Sequence, residues 1–318
     1  MRIRRAILRR LACGALLVAS PVAWAQLFPE KVMRIIVPFP AGGQSDLIAR
    51  IVAKSLGEFL GVAVVVENRS GASGAVGVDV AAHALADGST LLLGSGSNLT
   101  VAPALDSKLP YDPIRDFAPI GRVARLPLML VVQAGLPVAN VAQLVAYARQ
   151  NPGAVTYASG AAGIQFLMES LKSSAGVDIL QVPYSGTPPA LVDVVAGRVD
   201  VLVVDAPAIA PHVNSGAVRV IANAGQTRSR LFPEVPTIIE QGFDVSFESW
   251  QGLLAPKGTP RELMAQLQGA LQKVLRSSDF RNDLERLGAE PIDEPPSAFE
   301  PFLRNELEKY RRLVQRGK

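Results

Sequence analysis

A glycine-rich loop near the N-terminus offers the clearest ligand-binding chemistry in this sequence. It joins a predicted strand to a predicted helix and reads Pro38-Phe39-Pro40-Ala41-Gly42-Gly43-Gln44-Ser45-Asp46. Two adjacent glycines let the backbone approach a ligand and turn N–H groups toward it, and the helix N-terminus adds partial positive charge. The loop favours an anion, although a plain turn before a helix capped by Ser45 or Asp46 has the same pattern. No Gly-Lys-Ser/Thr follows, so it is not a nucleotide phosphate loop.

Small and polar residues also follow four later predicted strands. They are Ser95 and Gly96 within Leu93–Asn98, the run Ser159-Gly160-Ala161-Ala162-Gly163-Ile164-Gln165, the run Tyr184-Ser185-Gly186-Thr187, and Asp205. Ligands of α/β proteins bind beyond the carboxyl ends of strands and close to helix N-termini. These strand ends are therefore candidate walls of one site, in which Asp205 contacts a ligand hydroxyl or amine. Two plainer interpretations stay open: Asp205 caps the next helix, and the 159–165 run is a flexible connector.

Sequence signatures of catalysis and of metal binding are lacking. The single cysteine excludes a disulfide framework and a cysteine-based zinc or iron–sulfur site, and two histidines, His83 and His212, leave little scope for a histidine-rich one. Neither a Gly-x-Ser-x-Gly elbow nor a Gly-x-Gly-x-x-Gly fingerprint occurs. Trp250 is either a core or hinge aromatic or a cleft wall. We therefore expect a protein that is not an enzyme and that takes no metal and no cofactor.

The charge of the chain is concentrated at its start. The 318 residues carry a formal net charge of +4, but residues 1–25 hold five arginines and no acidic residue, and the remainder has 27 basic against 28 acidic residues. A basic stretch, a short apolar stretch at 11–18 and the triplet Ala23-Trp24-Ala25 predict a signal peptide cleaved after Ala25. The remaining chain has no basic excess of the kind that binds nucleic acid. We expect an exported protein, with either the general or the twin-arginine route open.

After residue 25, short apolar runs alternate with helical patterns. Strands are predicted at 33–37, 62–66, 90–94, 128–132, 155–158, 179–182, 199–204 and 218–222. Helices are predicted at 46–60, 74–86, 141–150, 190–196 and 208–214, with a further one that follows the strand 155–158 and ends at about 175. From residue 260 the pattern is helical, at about 260–276, 279–287 and 297–315. Such alternation predicts an α/β fold with largely parallel sheets. Two α/β lobes and a helical tail are suited to a ligand cleft between the lobes.

A series of motifs, in order along the chain, carries a family resemblance. The motifs include Ile36-Val37-Pro38-Phe39-Pro40-Ala41-Gly42-Gly43 with Asp46 and Arg50, Val66-Glu67-Asn68-Arg69, Asp87-Gly88-Ser89-Thr90, Tyr111-Asp112-Pro113, Val182-Pro183-Tyr184, Gly197-Arg198-Val199-Asp200, Val235-Pro236-Thr237 and Trp250-Gln251-Gly252. Each is weak alone, but together they span the chain from Phe28 to its C-terminus. The sequence resembles the solute-binding receptors of tripartite tricarboxylate transporters, the Bug receptors.

The resemblance implies a two-lobed periplasmic-binding-protein-like fold of type II with the ligand cleft between the lobes. Lobe 1 would comprise residues 26–125 and 248–318, and lobe 2 residues 126–247. The ligand would be a small organic acid. The loop Ala41 to Asp46 would hold one carboxylate, partly through ordered waters, with Phe39 as a further contact, and lobe 2 would add the 159–165 loop, Tyr184 and Asp205. The protein would be a periplasmic monomer whose partners are integral membrane permease subunits.

The sequence departs from the family pattern in the 159–165 loop. After Gly163 the family usually has Ser or Thr and then often His, whereas this chain has Ile164, Gln165 and Phe166. These residues predict a monocarboxylate with an apolar or aromatic body, unless Phe166 faces the core. Two other functions stay open: a sensory subunit that presents its closed form to a membrane signalling protein, and an enzyme on the same fold.

Overall fold

The computed structural model describes residues 32–316, so the predicted signal peptide lies outside the described residues. The chain forms two sheets, and each sheet with its helices forms a lobe. Lobe 1 contains strands β1 (Val32–Val37), β2 (Ala63–Asn68), β3 (Thr90–Ser95) and β4 (Phe117–Leu126), and later β10 (Ser249–Pro256) and β11 (Glu290–Pro291). Lobe 2 contains β5 (Leu128–Gln133), β6 (Thr156–Ser159), β7 (Leu180–Pro183), β8 (Val201–Asp205) and β9 (Val218–Asn223).

Helices pack on both sheets. Lobe 1 carries α1 (Gln44–Leu60), α2 (Ala75–Ala82), α3 (Ala102–Leu105), α8 (Arg261–Arg276), α9 (Ser278–Arg286) and α10 (Phe299–Arg316). Lobe 2 carries α4 (Val141–Gln150), α5 (Ala162–Ala175), α6 (Thr187–Val195) and α7 (Ala206–Asn214). A π-helical turn, Ser97–Val101, precedes α3. None of the helices in the described range is long and apolar enough to cross a membrane.

Apart from the extra edge strand β11 in lobe 1, the strands of the two sheets follow one another in an equivalent order. Lobe 1 reads β11-β4-β10-β3-β1-β2 and lobe 2 reads β9-β5-β8-β6-β7 in the same sense. In each, a strand that arrives from the other lobe, β10 or β5, lies between two strands of its own sheet and is antiparallel to both. The predicted α/β fold is confirmed. The predicted parallel pairing holds for β1 with β2 and β3 and for β6 with β7 and β8, whereas β5, β10 and the short β11 pair antiparallel. A strand that enters directly from the other lobe has no helical crossover to reverse its direction.

The start of α1 also differs from the prediction. The helix begins at Gln44, with extended Gly43 before it and no side-chain cap, so neither Ser45 nor Asp46 caps it. Its predicted end is confirmed, because Gly61 adopts a left-handed conformation with φ of 70° and bonds back to Gly57. Helix α4 has the predicted bounds, and its cap is the Asn140 side chain, which accepts from the Gln143 N–H.

Helix α10 contacts the cores of both lobes. Phe299 and Leu303 are fully buried with Trp250 in lobe 1, whereas Tyr310, two turns further on, is buried in the core of lobe 2. The Tyr310 ring meets the Phe166 ring edge-on at a centroid distance of 5.2 Å. The C-terminal helix therefore packs on lobe 1 with one end and on lobe 2 with the other.

Candidate functional site

A cavity lies in the cleft between the two sheets, and residues of both lobes line it. It encloses about 70 Å³, which is room for roughly five waters or a similarly small molecule. We call it the cleft cavity. Its walls are Phe39, Pro40, Gly43, Gln44, Ser45, Ser95, Ser97, Leu128, Gly160, Ala161, Ile164, Thr187, Pro188, Val203, Val204, Asp205, Phe247, Ser249 and Gln251.

Four helices of the two lobes begin at the cleft cavity. They are α1 at Gln44, α5 at Ala162, α6 at Thr187 and α7 at Ala206, and none of them has a side-chain cap. Away from the cavity, α4 and α9 are capped by Asn140 and Ser277, whereas α2, α3 and α8 also have no side-chain cap. The positive ends of four helix dipoles therefore converge on one small space. Free N–H groups come mainly from α1, because Ala206 N–H donates to the Pro127 carbonyl, Gly163 N–H donates to Ser97 Oγ, and α6 and α7 have prolines in their first turns. This arrangement is suited to an anion.

The first glycine-rich loop is held in place by side chains of Asp46 and of Asn68, the last residue of β2. Gly42 has a φ of 80°, which a glycine adopts without strain, and its N–H donates to Asp46 Oδ2 at 2.9 Å. Asn68 Nδ2 donates to the Phe39 carbonyl at 3.1 Å. Among the described residues, no group accepts the backbone N–H of Gln44 or Ser45. The loop is thus fixed in a shape that leaves two N–H groups free at the cleft cavity.

Asp46 is part of this support and not of the cavity wall. Its carboxylate is 2% exposed and is paired with Arg50, with Nε 3.0 Å from Oδ2. Burial opposes ionisation, but the hydrogen bonds from Arg50 and from the Gly42 N–H outweigh it and hold the pKa of Asp46 below its usual range. Asp46 is therefore a charged residue that supports the loop, and its carboxylate is engaged by Arg50 and the Gly42 N–H.

The floor of the cavity in lobe 1 comes from β3 and β10. Gln251 pairs in register with Ser95, and its Nε2 donates to Ser45 Oγ at 2.6 Å. Both residues are buried, yet Gln251 Oε1 and Ser95 Oγ have no partner among the described residues. Two unpartnered polar atoms at a cavity wall indicate a ligand or water partner.

Asp205 is the one ionisable side chain in the cavity wall. It ends β8 and stands before α7, but it makes no side-chain cap, contrary to the capping interpretation. Burial raises the pKa of Asp205 to about 7, and only a hydrogen bond from its own backbone opposes the rise. The cavity wall contains no Lys, Arg or His. Any charge on a ligand therefore meets backbone dipoles and one weakly acidic carboxyl.

The structure brings only part of the predicted binding set to the cleft cavity. Seven predicted residues line it: Phe39, Gly43, Gln44, Ser45, Ser95, Ile164 and Asp205. Eight do not: Ala41, Gly42, Asp46, Gly96, Ser159, Gly163, Gln165 and Tyr184. Several of the eight hold neighbours in place, as Gly163 does by donating its N–H across the cleft to Ser97 Oγ at 3.2 Å. A Cβ on Gly163 would overlap the Phe247 ring.

Three aromatic residues have structural roles instead of contacting the cavity. The Tyr184 hydroxyl donates to Asp193 Oδ2 at 2.7 Å, so its polar end is engaged outside the cleft. Phe166 packs on Tyr310, as the core alternative allowed. Trp250 is 1% exposed and meets Phe299 and Phe302 edge-on, which makes it a core aromatic. The aromatic wall of the cavity comes from Phe39 and Phe247 instead.

Several wall residues escaped the sequence analysis. The polar ones are Ser249 and Gln251; Ser97 and Thr187 also line the cavity and lie within two of the strand-end runs named as candidate walls. Ser249 and Gln251 belong to a strand that returns to lobe 1 more than a hundred residues after β4, so no local pattern links them to the first loop. The available signal was a glutamine inside the otherwise apolar run of β10. A polar side chain in a buried strand needs a partner, which a cleft ligand can supply.

Together, the two sheets, the crossing strands and the cleft cavity define a two-lobed binding protein. Comparison with known proteins leads to the same class of protein. The sequence matches the family described as "Tripartite tricarboxylate transporter family receptor" over residues 48–318. Protein BugT of Bordetella pertussis is 35% identical over 302 residues, which are 94% of this chain and 92% of BugT. The chain belongs to the tripartite tricarboxylate transporter receptor family, of the Bug type.

Solved relatives share the fold at full length. The R. palustris protein Rpa4515 with adipate superposes with a TM-score of 0.86 at 32% identity, covering 91% of this chain and 98% of that one. MatC from Rhodopseudomonas palustris with bound malate gives a TM-score of 0.85 at 31% identity, covering 90% of this chain and 100% of that one. The predicted two-lobed fold and family are therefore confirmed, and the family is one of solute-binding receptors.

Proposed function

We propose that this protein is a periplasmic receptor that captures a small organic acid in the cleft cavity and delivers it to integral membrane permease subunits. One observation carries the proposal: four helices with uncapped N-termini converge on a cavity whose wall holds no cationic side chain. Backbone N–H groups bind a carboxylate without a fixed counter-charge, so the anion is stabilised and still able to leave. The relatives solved with adipate and malate support a carboxylate ligand.

Opening and closing of the lobes would accompany capture and release. The first loop meets lobe 2 across the cleft, since a Cβ built on Gly43 would lie 3.8 Å from the Pro188 ring. The backbone passes between lobes at Pro127, between β4 and β5, and again between β9 and β10. We propose that residues 26–125 with 248–318 form one moving body and residues 126–247 the other.

The proposal also includes the protein's periplasmic location and its permease partners. Export would depend on the predicted signal peptide, residues 1–25, and delivery on permease subunits as separate partners. The family supports both, because the receptors of this family are named for a three-component transporter. We further propose that the protein acts as a monomer and without a cofactor.

The function is tested by thermal unfolding of the purified protein after co-purified ligand has been removed by unfolding and refolding. Aliphatic mono-, di- and tricarboxylates, aromatic acids and amino acids form the panel, with matched amides and alcohols as uncharged controls. A ligand at about 1,000 times its dissociation constant adds about 4 kcal/mol, so the midpoint rises by several degrees. A rise with acids and none with their amides is expected. An equal rise with the amides would contradict carboxylate recognition.

A pair of variants at one position tests the proposed anion site. Gln44→Pro removes one free backbone N–H at the first position of α1, where proline is tolerated, and extended Gly43 suits a following proline. Gln44→Ala keeps that N–H and removes the side chain, whose Nε2 donates to the Leu287 carbonyl. Relative to Gln44→Ala, we expect Gln44→Pro to weaken acid binding about tenfold or more. Equal affinities for the two variants would remove α1 from the anion site.

A further inference from the structure

The cleft cavity has two chemically different halves. The first loop and the N-termini of α1, α5 and α6 provide hydrogen-bond donors, which suit one carboxylate. The floor and far wall instead hold side-chain acceptors, Gln251 Oε1 on β10 and the Asp205 carboxyl at the end of β8. A ligand held by its carboxylate in the first half must present something to these acceptors.

Gln251 lines the cavity with a side-chain amide whose oxygen is an unused acceptor. Its amide nitrogen donates a hydrogen bond to Ser45 Oγ at 2.6 Å, so the amide oxygen is the atom of the amide group without a partner. That oxygen is buried without a partner, in a residue that is 3% exposed. An unmade hydrogen bond of a buried carbonyl costs free energy, which a donor on the ligand recovers.

Asp205 offers the second acceptor from the other lobe. Its side chain is 9% exposed and lines the cavity, and no side chain or neighbouring backbone group in the described chain donates to it. No Lys, Arg or His in the cavity wall offsets its charge. Its raised pKa has the same cause, because burial without a partner disfavours the carboxylate.

We propose that Asp205 and Gln251 form a subsite for a hydrogen-bond donor carried by the ligand, so that the receptor selects organic acids bearing a hydroxyl or ammonium group over their unsubstituted counterparts. This inference rests on the proposed function and concerns the same cavity. A second ionised carboxylate is disfavoured at this subsite, because it would face two acceptors and no cation. The Ser95 hydroxyl, in register with Gln251, is placed to orient the donor from the same floor.

The proposal is tested by calorimetric titration of the ligand-free protein with two matched series of acids. One series is propionate, lactate and alanine, and the other is succinate, malate and aspartate. Within at least one series, the member with a donor is expected to bind about tenfold or more tighter than the unsubstituted acid. Tighter binding of the hydroxy acid or of the amino acid identifies the preferred donor as a hydroxyl or an ammonium group.

Variants separate this subsite from the rest of the cavity. Asp205→Ala and Gln251→Leu each remove one acceptor, and either is expected to reduce the preference to less than about threefold while the unsubstituted acid still binds. The control Asp178→Asn changes an exposed carboxyl of lobe 2 and is expected to leave the preference intact. Acids that bind without regard to the substituent would overturn the subsite alone. Absence of binding by every acid would overturn the proposed function and the subsite with it.

Discussion

At the scale of single residues, the cleft assigns opposite chemistry to two aspartates. Asp46 stays ionised because Arg50 and the Gly42 N–H satisfy its carboxylate, whereas Asp205 is buried with no such partners. The sequence shows both as acidic residues at strand–helix junctions. Their difference depends on Arg50 one helical turn after Asp46, and on a cavity that leaves Asp205 without a donor. The spacing of Asp46 and Arg50 is visible in the sequence, but the burial of Asp205 is not.

The isolation of Asp205 predicts a pH-dependent cost to folding. Its pKa is 3.8 when exposed and about 7 in the folded protein, so the folded state binds more protons between these values and stability falls as the pH rises through them. The cost is absent below about pH 4 and complete above about pH 7, where it reaches about 4 kcal/mol. We expect Asp205→Asn to gain about 2–4 kcal/mol at about pH 8 and almost nothing at about pH 4.

Urea unfolding of wild type and Asp205→Asn at several pH values measures this difference directly. The Asp178→Asn variant serves as the control, because that carboxyl is exposed on lobe 2 and lies outside the cavity wall. A difference between wild type and Asp205→Asn that stays constant from acid to alkaline pH would show that the buried carboxyl keeps its ordinary acidity.

At the scale of elements, local pattern predicted most helices but not the sheet partners. The periodicity and Gly61 predicted the end of α1, and α4 was predicted to the residue, because both depend on sequence neighbours. The positions of β5 and β10 in their sheets are set where the chain crosses from one lobe to the other. The local sequence pattern does not predict these crossings. For the same reason half of the cavity floor, from β10, was missed. Tyr184 was predicted at the site from its strand end and from the family resemblance, whereas the nearby Asp193 engages its hydroxyl.

The bridging position of α10 predicts a contrast between two substitutions at Tyr310. The ring fills the core of lobe 2 against Phe166 and Phe247, whereas its hydroxyl is buried without a partner. Tyr310→Ala should cost about 3–5 kcal/mol because it leaves a cavity. Tyr310→Phe should lie within about 1 kcal/mol of wild type or be more stable, since it removes only the unsatisfied hydroxyl. Denaturant unfolding measures both, and a large loss in Tyr310→Phe would reveal a hydrogen-bond partner for the hydroxyl.

At the scale of the whole molecule, the proposed movement of the lobes would couple ligand binding to how closely the lobes approach. The Gly186 loop of lobe 2 lies against Pro40 of the first loop, and a Cβ on Gly186 would stand 2.7 Å from Pro40 Cδ. The backbone of Gly186 is extended, with a φ of 163°, so alanine adopts it without strain. An added methyl group therefore conflicts with the closed arrangement only, and an open arrangement accommodates it.

Gly186→Ala should accordingly weaken ligand binding while the ligand-free protein keeps its unfolding midpoint. A penalty of about 1–3 kcal/mol on the closed state lowers affinity by roughly five- to a hundredfold, because only the closed fraction binds tightly. The double variant with Pro40→Ala should recover most of that affinity, since the opposing ring atoms are gone. Gly269→Ala, in α8 with open space around it, is the matched control. If Gly186→Ala lowered the midpoint of the ligand-free protein as much as it lowered affinity, the contact would belong to folding and not to closure.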